Sequence, residues 1–280
     1  DPDTEAVARI DPADVGTTPP AAEEPVLPPV DKVAAHFISN SQVMVGWDPE
    51  SASWRRLPPR AQLKPGDKFR SLPTYRPQLL LTNDIQISFA DECIGSFGNP
   101  VDDLPYVQLS SGKTVIATMG KSDNALVLDA AGRKIVLTMA DAEAAVALSV
   151  TPFHLPGDNP ETDIAHVEIT GVVIGGQVQW QQDGTEPVLL DVGQQISMLD
   201  DGLPRVQNTT TTPKWEKTND ISEIDRLASA TLEPMLSDDR PMEIVLAEKA
   251  EHPRVEVRSL AARALASIDK FDALIDTFHA

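Results

Sequence analysis

Between Asp31 and about Thr212 the chain repeats one pattern: a short run of apolar or alternating residues, then a turn residue. The runs are Gln42–Gly46, Gln78–Thr82, Ile85–Phe89, Thr114–Thr118, Ala125–Leu128, Lys134–Thr138, Ala145–Val150, His166–Thr170, Gln177–Trp180 and Pro187–Leu190. A period of two over so few residues is the signature of a half-buried strand, since successive side chains leave opposite faces of the backbone. Asn83-Asp84, Ser111-Gly112, Ala131-Gly132 and Asp183-Gly184 stand between neighbouring runs and predict hairpin turns. No strand–helix–strand rhythm appears, which argues against a doubly wound parallel sheet. The expectation is a mainly β fold of antiparallel hairpins, arranged as a sandwich or a solenoid-like stack.

The flanks read differently. Residues 1–30 hold seven prolines and seven acids against one base, a composition that cannot repay its ordering entropy with buried surface. They are expected to form a disordered linker. After Thr212-Pro213 the period lengthens to that of helices. Asn219 or Asp220 is placed to cap a first helix with Ile221, Ile224, Leu227, Leu232 and Met235 on one face, ending before Pro234 or kinking there. A second opens at Asp239 and Pro241 and runs to about Ala250. A third follows Pro253 with the stripe Val257, Leu260, Ala261, Ala264, Leu265 and Ile268, and a fourth starts at Phe271. Helices this short need packing partners. The organisation read from the chain is therefore a linker at 1–30, a β domain at 31–212 and a small all-α module at 213–280.

Charge and cysteine content then remove function classes. The net charge of −20 disfavours nucleic acid, which calls for clustered Lys and Arg, and disfavours docking on anionic lipid. One cysteine, Cys93, allows no internal disulfide and no Cys-based zinc cluster. It reads as a small, partly buried hydrophobe at a strand end. No stretch is apolar for long enough to span a bilayer, and the chain opens at Asp1 without Met, as a mature fragment whose upstream part has been removed would.

Motifs of catalysis are thin. Gly112-Lys113-Thr114 has the end of a phosphate-binding loop without its first glycine, since Val107 stands there, and reads as a turn. His36, His154, His166, His252 and His279 make no metal-ligand spacing. Asp158, Asn159, Glu161 and Asp163 concentrate oxygen ligands of the kind Ca²⁺ prefers, without the spacing of an EF-hand. No catalytic residue, cofactor or metal is assigned. Trp47, Trp54, Trp180 and Trp215 are the candidates for a binding surface, against a plainer reading as core.

A weak internal echo pairs Leu63-Lys-Pro-Gly66-Asp-Lys-Phe69-Arg-Ser-Leu72 with Leu190-Asp-Val-Gly193-Gln-Gln-Ile196-Ser-Met-Leu199. Leu109-Ser-Ser-Gly112-Lys-Thr-Val115 repeats its first half, and the echo predicts repeated hairpin units. Residues 54–201 also resemble one known family. Trp54-Arg-Arg-Leu57, Leu63-Lys-Pro-Gly66-Asp67, Ile85-Gln-Ile87, then Val167-Glu-Ile169-Thr-Gly171-Val-Val173 and Val192-Gly193-Gln194-Gln-Ile196 are similar to the FecR family of extracytoplasmic signalling domains, the ferric-citrate-regulator type. The resemblance implies a periplasmic β domain on a single-pass anchor upstream of Asp1, passing a signal between an outer protein partner and a sigma-factor system. The C-terminal Val257-Arg-Ser-Leu260-Ala-Ala262-Arg-Ala264-Leu265 instead resembles the second helix of a HEAT-type repeat. The expected function is a non-catalytic, membrane-tethered protein-interaction or signalling domain outside the cytoplasm. The rival is a carbohydrate- or cell-surface-binding β domain.

Overall fold

The computed structural model describes residues 32–217, 220–236, 239–272 and 275. The expected linker at 1–30 lies outside them, as does His279. Of the fourth helix only Phe271, Asp272 and Ile275 fall inside, all three helical. The chain is mainly β with a small helical module at its C-terminal end.

Its spine is one long hairpin. Strand β7 spans Ile85–Val101 and β8 Leu104–Thr118, joined by Asp102 and Asp103, both at positive φ as a primed two-residue turn requires. The first half of β7 pairs with β6 (Gln78–Leu81), which leads to β1 (Ala35–Phe37) and β4 (Gln62–Leu63). Its second half pairs with β5 (Lys68–Ser71), then β2 (Met44–Asp48) and β3 (Ser53–Arg56). Strand β8 also forks: Tyr106–Leu109 pairs in parallel with β9 (Asn124–Ala130), while Gly112–Ala117 pairs with β11 (Ala145–Phe153). Beyond β9 lie β10 (Arg133–Met139), β13 (Gln177–Gln182) and β14 (Val188–Asp191); beyond β11 lie β12 (His166–Gly175), β15 (Gln194–Leu199) and β16 (Arg205–Asn208).

The two arms face each other across one core. Leu126, Ile135, Leu137 and Trp180 from the first arm meet Val146, Leu148, Ile169 and Ile196 from the second, all at 1% exposure or less. Phe69 joins the same core from the other end, 5.3 Å from both Phe89 and Phe97.

Both forks occur at one irregularity, where the register slips between Ala90 and Ile94. There Asp91 has φ +69° and Gly112 φ +126°. The predicted hairpin turn at Ser111-Gly112 is therefore corrected: Gly112 sits inside β8 and forms half of a bulge. A side chain there would put its Cβ 2.4 Å from Cys93 Sγ, so only glycine fits. Cys93 itself lies in mid-strand and is fully buried. Its Sγ accepts from Lys113 N–H and donates to Lys113 O, both at 3.2 Å. The remaining predicted turns, at Asn83-Asp84, Ala131-Gly132 and Asp183-Gly184, each join two paired strands.

The internal echo needs a different reading. Gly66 and Gly193 both take positive φ between two strands, but β4 does not pair with β5, nor β14 with β15. They are corners, not hairpins. At Gly193 the chain passes from one arm to the other.

The helices are α1 (Glu223–Leu232), α2 (Met242–Ala250) and α3 (Val255–Ser267), with a 3-10 turn at Glu233–Met235 where Pro234 stops α1. The N-cap of α1 is Ser222, which accepts from Asp225 N–H at 3.1 Å, in place of Asp220; Asn219 lies outside the described residues. The predicted face of α1 is also turned: Ala228 and Leu232 are buried, whereas Ile224 is 67% and Leu227 46% exposed. The stripe of α3 is buried throughout, as its spacing predicts. The helices share a second core with Val45 and Trp54 from the sheet and with Val43, Leu72 and Tyr75 from the segments beside it.

Candidate functional site

Helix C-termini present carbonyls that no later turn satisfies, and cations stabilise them. Here the sheet supplies those cations. Arg56 Nη1 donates to Glu233 O at 3.1 Å and Leu236 O at 2.8 Å, while its Nη2 pairs with the Glu233 carboxylate. Arg70 donates to the carbonyl of Ser267, the last residue of α3, and pairs with Asp269. Tyr75 Oη donates to Ser229 O at 3.2 Å. Trp54-Arg55-Arg56, singled out in the sequence, thus ties the helical module to the β part.

The four tryptophans do not assemble into one surface. Trp180 is 1% exposed in the main core, and Trp54 is 7% exposed in the helix-facing core. Trp47 is half-buried and meets Trp54 edge to face at 5.3 Å, and Arg70 lies 4.9 Å over the Trp54 ring. Trp215 is half-buried elsewhere, its carbonyl accepting from Arg76 Nη1 at 2.7 Å.

Two hollows run along the seam between α3 and the sheet. One, of about 470 Å³, borders the bulge and includes Glu92, Cys93, Lys113 and Ser149. The other, of about 510 Å³, includes Trp47, Lys68 and Arg70. Both touch Ile94 and Asp269. Burial pushes the Cys93 thiol up to about 12, which keeps it protonated and unreactive near neutrality. Desolvation, and then the neighbouring Asp91 carboxylate, raise Glu92 above the usual carboxylate range.

The acidic loop is spent on its own backbone. Asp158 accepts from Leu155 N–H at 2.6 Å, and Asp163 from Asn159 N–H at 2.8 Å. Among the described residues no three His, Cys, Asp or Glu side chains converge as a metal site would require. His252 accepts from Arg254 N–H at 3.2 Å in the α2–α3 turn. His166 Nδ1 lies 2.6 Å from Asp200 Oδ2.

One feature escaped the sequence reading: the sheet ends on an open strand. All four residues of β16 are exposed, and among the described residues it pairs only with β15. Thr209 N–H donates inward to Gly193 O at 2.7 Å. The antiparallel alternation then turns the N–H and C=O groups of Val206 and Asn208 outward. Leu199, Leu203 and Val206 stand 55%, 79% and 43% exposed beside them. A groove of about 610 Å³ runs from Glu168 and Met198 to Arg205.

Fold and site together define a mainly β protein whose helical module is clamped to one sheet face and whose sheet is open at β16. No family model matches the chain, and no curated protein matches it. Among the described residues no helix is long and apolar enough to cross a membrane.

Proposed function

We propose that the chain is a non-catalytic recognition domain of a FecR-like, membrane-tethered regulator outside the cytoplasm, and that it takes up an extended segment of a protein partner along β16. The observation that carries the reading is the unpaired outward backbone of Val206 and Asn208 next to exposed Leu199 and Leu203. An unpaired edge is a template for an added strand: main-chain hydrogen bonds give affinity and neighbouring apolar side chains give specificity. Glu168 lines the groove beside Arg205, exposed Asp201 stands in the loop before β16, and the chain carries a net charge of −20, so the partner segment is apolar with basic flanks.

The test is selection from a displayed library of random ten-residue peptides. The reading expects enrichment of alternating apolar sequences carrying Lys or Arg. It also expects that Val206→Pro, which removes an outward N–H without touching the β15 ladder, abolishes binding of the winners. Winners that bind Val206→Pro as well as the parent, or no enrichment at all, would refute it.

A further inference from the structure

The sheet face that carries the helices is left uncovered around Trp47. Register lines up side chains across four strands there. Trp54 is opposite Trp47, and Lys68 is opposite Ser96. Gly46 pairs with Phe69, which sets Trp47 beside Lys68 at the next step. Alternation sends Phe69 into the core and leaves Lys68 and Arg70 on this outer face. With adjacent strands about 4.8 Å apart, the row is roughly 14 Å long. Ile268, Asp269 and Lys270, past the end of α3, form the wall of the groove.

Its charge runs against that of the molecule. In a chain of net −20, Lys68, Arg70 and Lys270 line this groove with Asp269 as the one acidic residue among its lining. Asp269 is engaged by Arg70, and Lys270 lies 3.4 Å from Glu243. Lys68 is exposed, and its ammonium has no ion-pair or hydrogen-bond partner among the described residues. Arg70 is 9% exposed, and its Nε has no acceptor. The ring of Trp47 is held edge to face by Trp54, which is itself held under Arg70. An oriented half-exposed indole, the unengaged Lys68 ammonium, and the hydroxyls of Ser110 and of Ser96, which donates to Gln108 Oε1 at 2.6 Å and keeps its lone pairs, therefore share one open groove.

We propose that this groove binds an acidic polysaccharide of uronate type. The indole of Trp47 takes the C–H face of a pyranose ring, Lys68 takes its carboxylate, and the serine hydroxyls meet ring hydroxyls. A neutral sugar leaves the cations idle, and a small anion leaves the indole idle. The site is separate from β16 and does not depend on strand addition there.

The experiment is calorimetric titration of the whole chain with tetragalacturonate, with cellotetraose as neutral sugar and tricarballylate as non-sugar polycarboxylate. Saturable binding of tetragalacturonate is expected, with a change in tryptophan fluorescence and weakening as salt rises. Lys68→Glu, at an exposed position that folding does not need, is expected to weaken it by about tenfold or more, the scale of a lost charge-assisted contact. Trp47→Leu is expected to weaken both acidic and neutral sugars. Three results would each overturn the proposal: no saturable binding of tetragalacturonate, equal affinity for cellotetraose or tricarballylate, or unchanged affinity in Lys68→Glu.

Discussion

The Trp180 indole rests on Gly171: a methyl group on that glycine would stand 3.1 Å from the ring and 3.2 Å from the Ile196 side chain. The glycine is required by close approach between the two arms of the sheet, and its backbone is ordinary extended strand. Gly171→Ala should cost about 1–3 kcal/mol, the usual scale of overpacking a tight core, measured by denaturant unfolding. In a Trp180→Leu background part of that penalty should vanish, because the ring is gone while the Ile196 contact remains.

The bulge makes a sharper prediction. At Gly112 a positive φ and a 2.4 Å approach to Cys93 Sγ act together. Gly112→Ala should destabilise by about 2–4 kcal/mol, combining backbone strain with overpacking. Cys93→Ala should recover only part of this loss, since φ stays unfavourable. Thermal unfolding of the two single variants and the double variant reads both contributions.

Arg56 holds the 3-10 turn that closes α1, donating to Glu233 O and Leu236 O. Arg56→Met keeps the stem and removes the donors, and should cost about 2–3 kcal/mol, the scale of hydrogen bonds to a charged group. Loss should show first in the helical module. Amide exchange of α1 should accelerate while the β core around Trp180 keeps its protection.

The His166–Asp200 pair gives a pH signature. The hydrogen bond from His166 holds Asp200 below its ordinary 3.8, and the Asp200 hydrogen bond holds His166 above its ordinary 6.5. A raised histidine contributes stability that is whole below 6.5 and fades as pH climbs through its folded value. A lowered carboxylate contributes above 3.8 and fades as pH falls through its folded value. The pair therefore supports the β12 start and the loop after β15 best between these limits. Nuclear magnetic resonance should show the His166 titration moving back down in Asp200→Asn.

What the sequence made legible follows burial. Strands with one buried face, such as β10 and β12, announce themselves by alternation, and α3 by its full apolar stripe. Strand β16 has no buried residue, so it has no period to read, and the candidate site went unseen for that reason. Strand β4 has only two residues. The α1 face was misplaced because the core takes a small Ala228 while larger Ile224 and Leu227 face out. Ser111-Gly112 looks like a turn, and only the bulge's positive φ together with the approach of Cys93, nineteen positions away, explains why glycine is needed inside a strand. Single tryptophans show no preference between core and surface until their neighbours are known.

The account stands or falls on the edge at β16, and hydrogen exchange read residue by residue tests it most directly. With a selected apolar-basic peptide added, the amides of Val206 and Asn208, open in the free chain, should become protected while those of α1–α3 stay unchanged. Protection that appears on the helices or along the α3 seam, with Val206 and Asn208 exchanging as before, would contradict it.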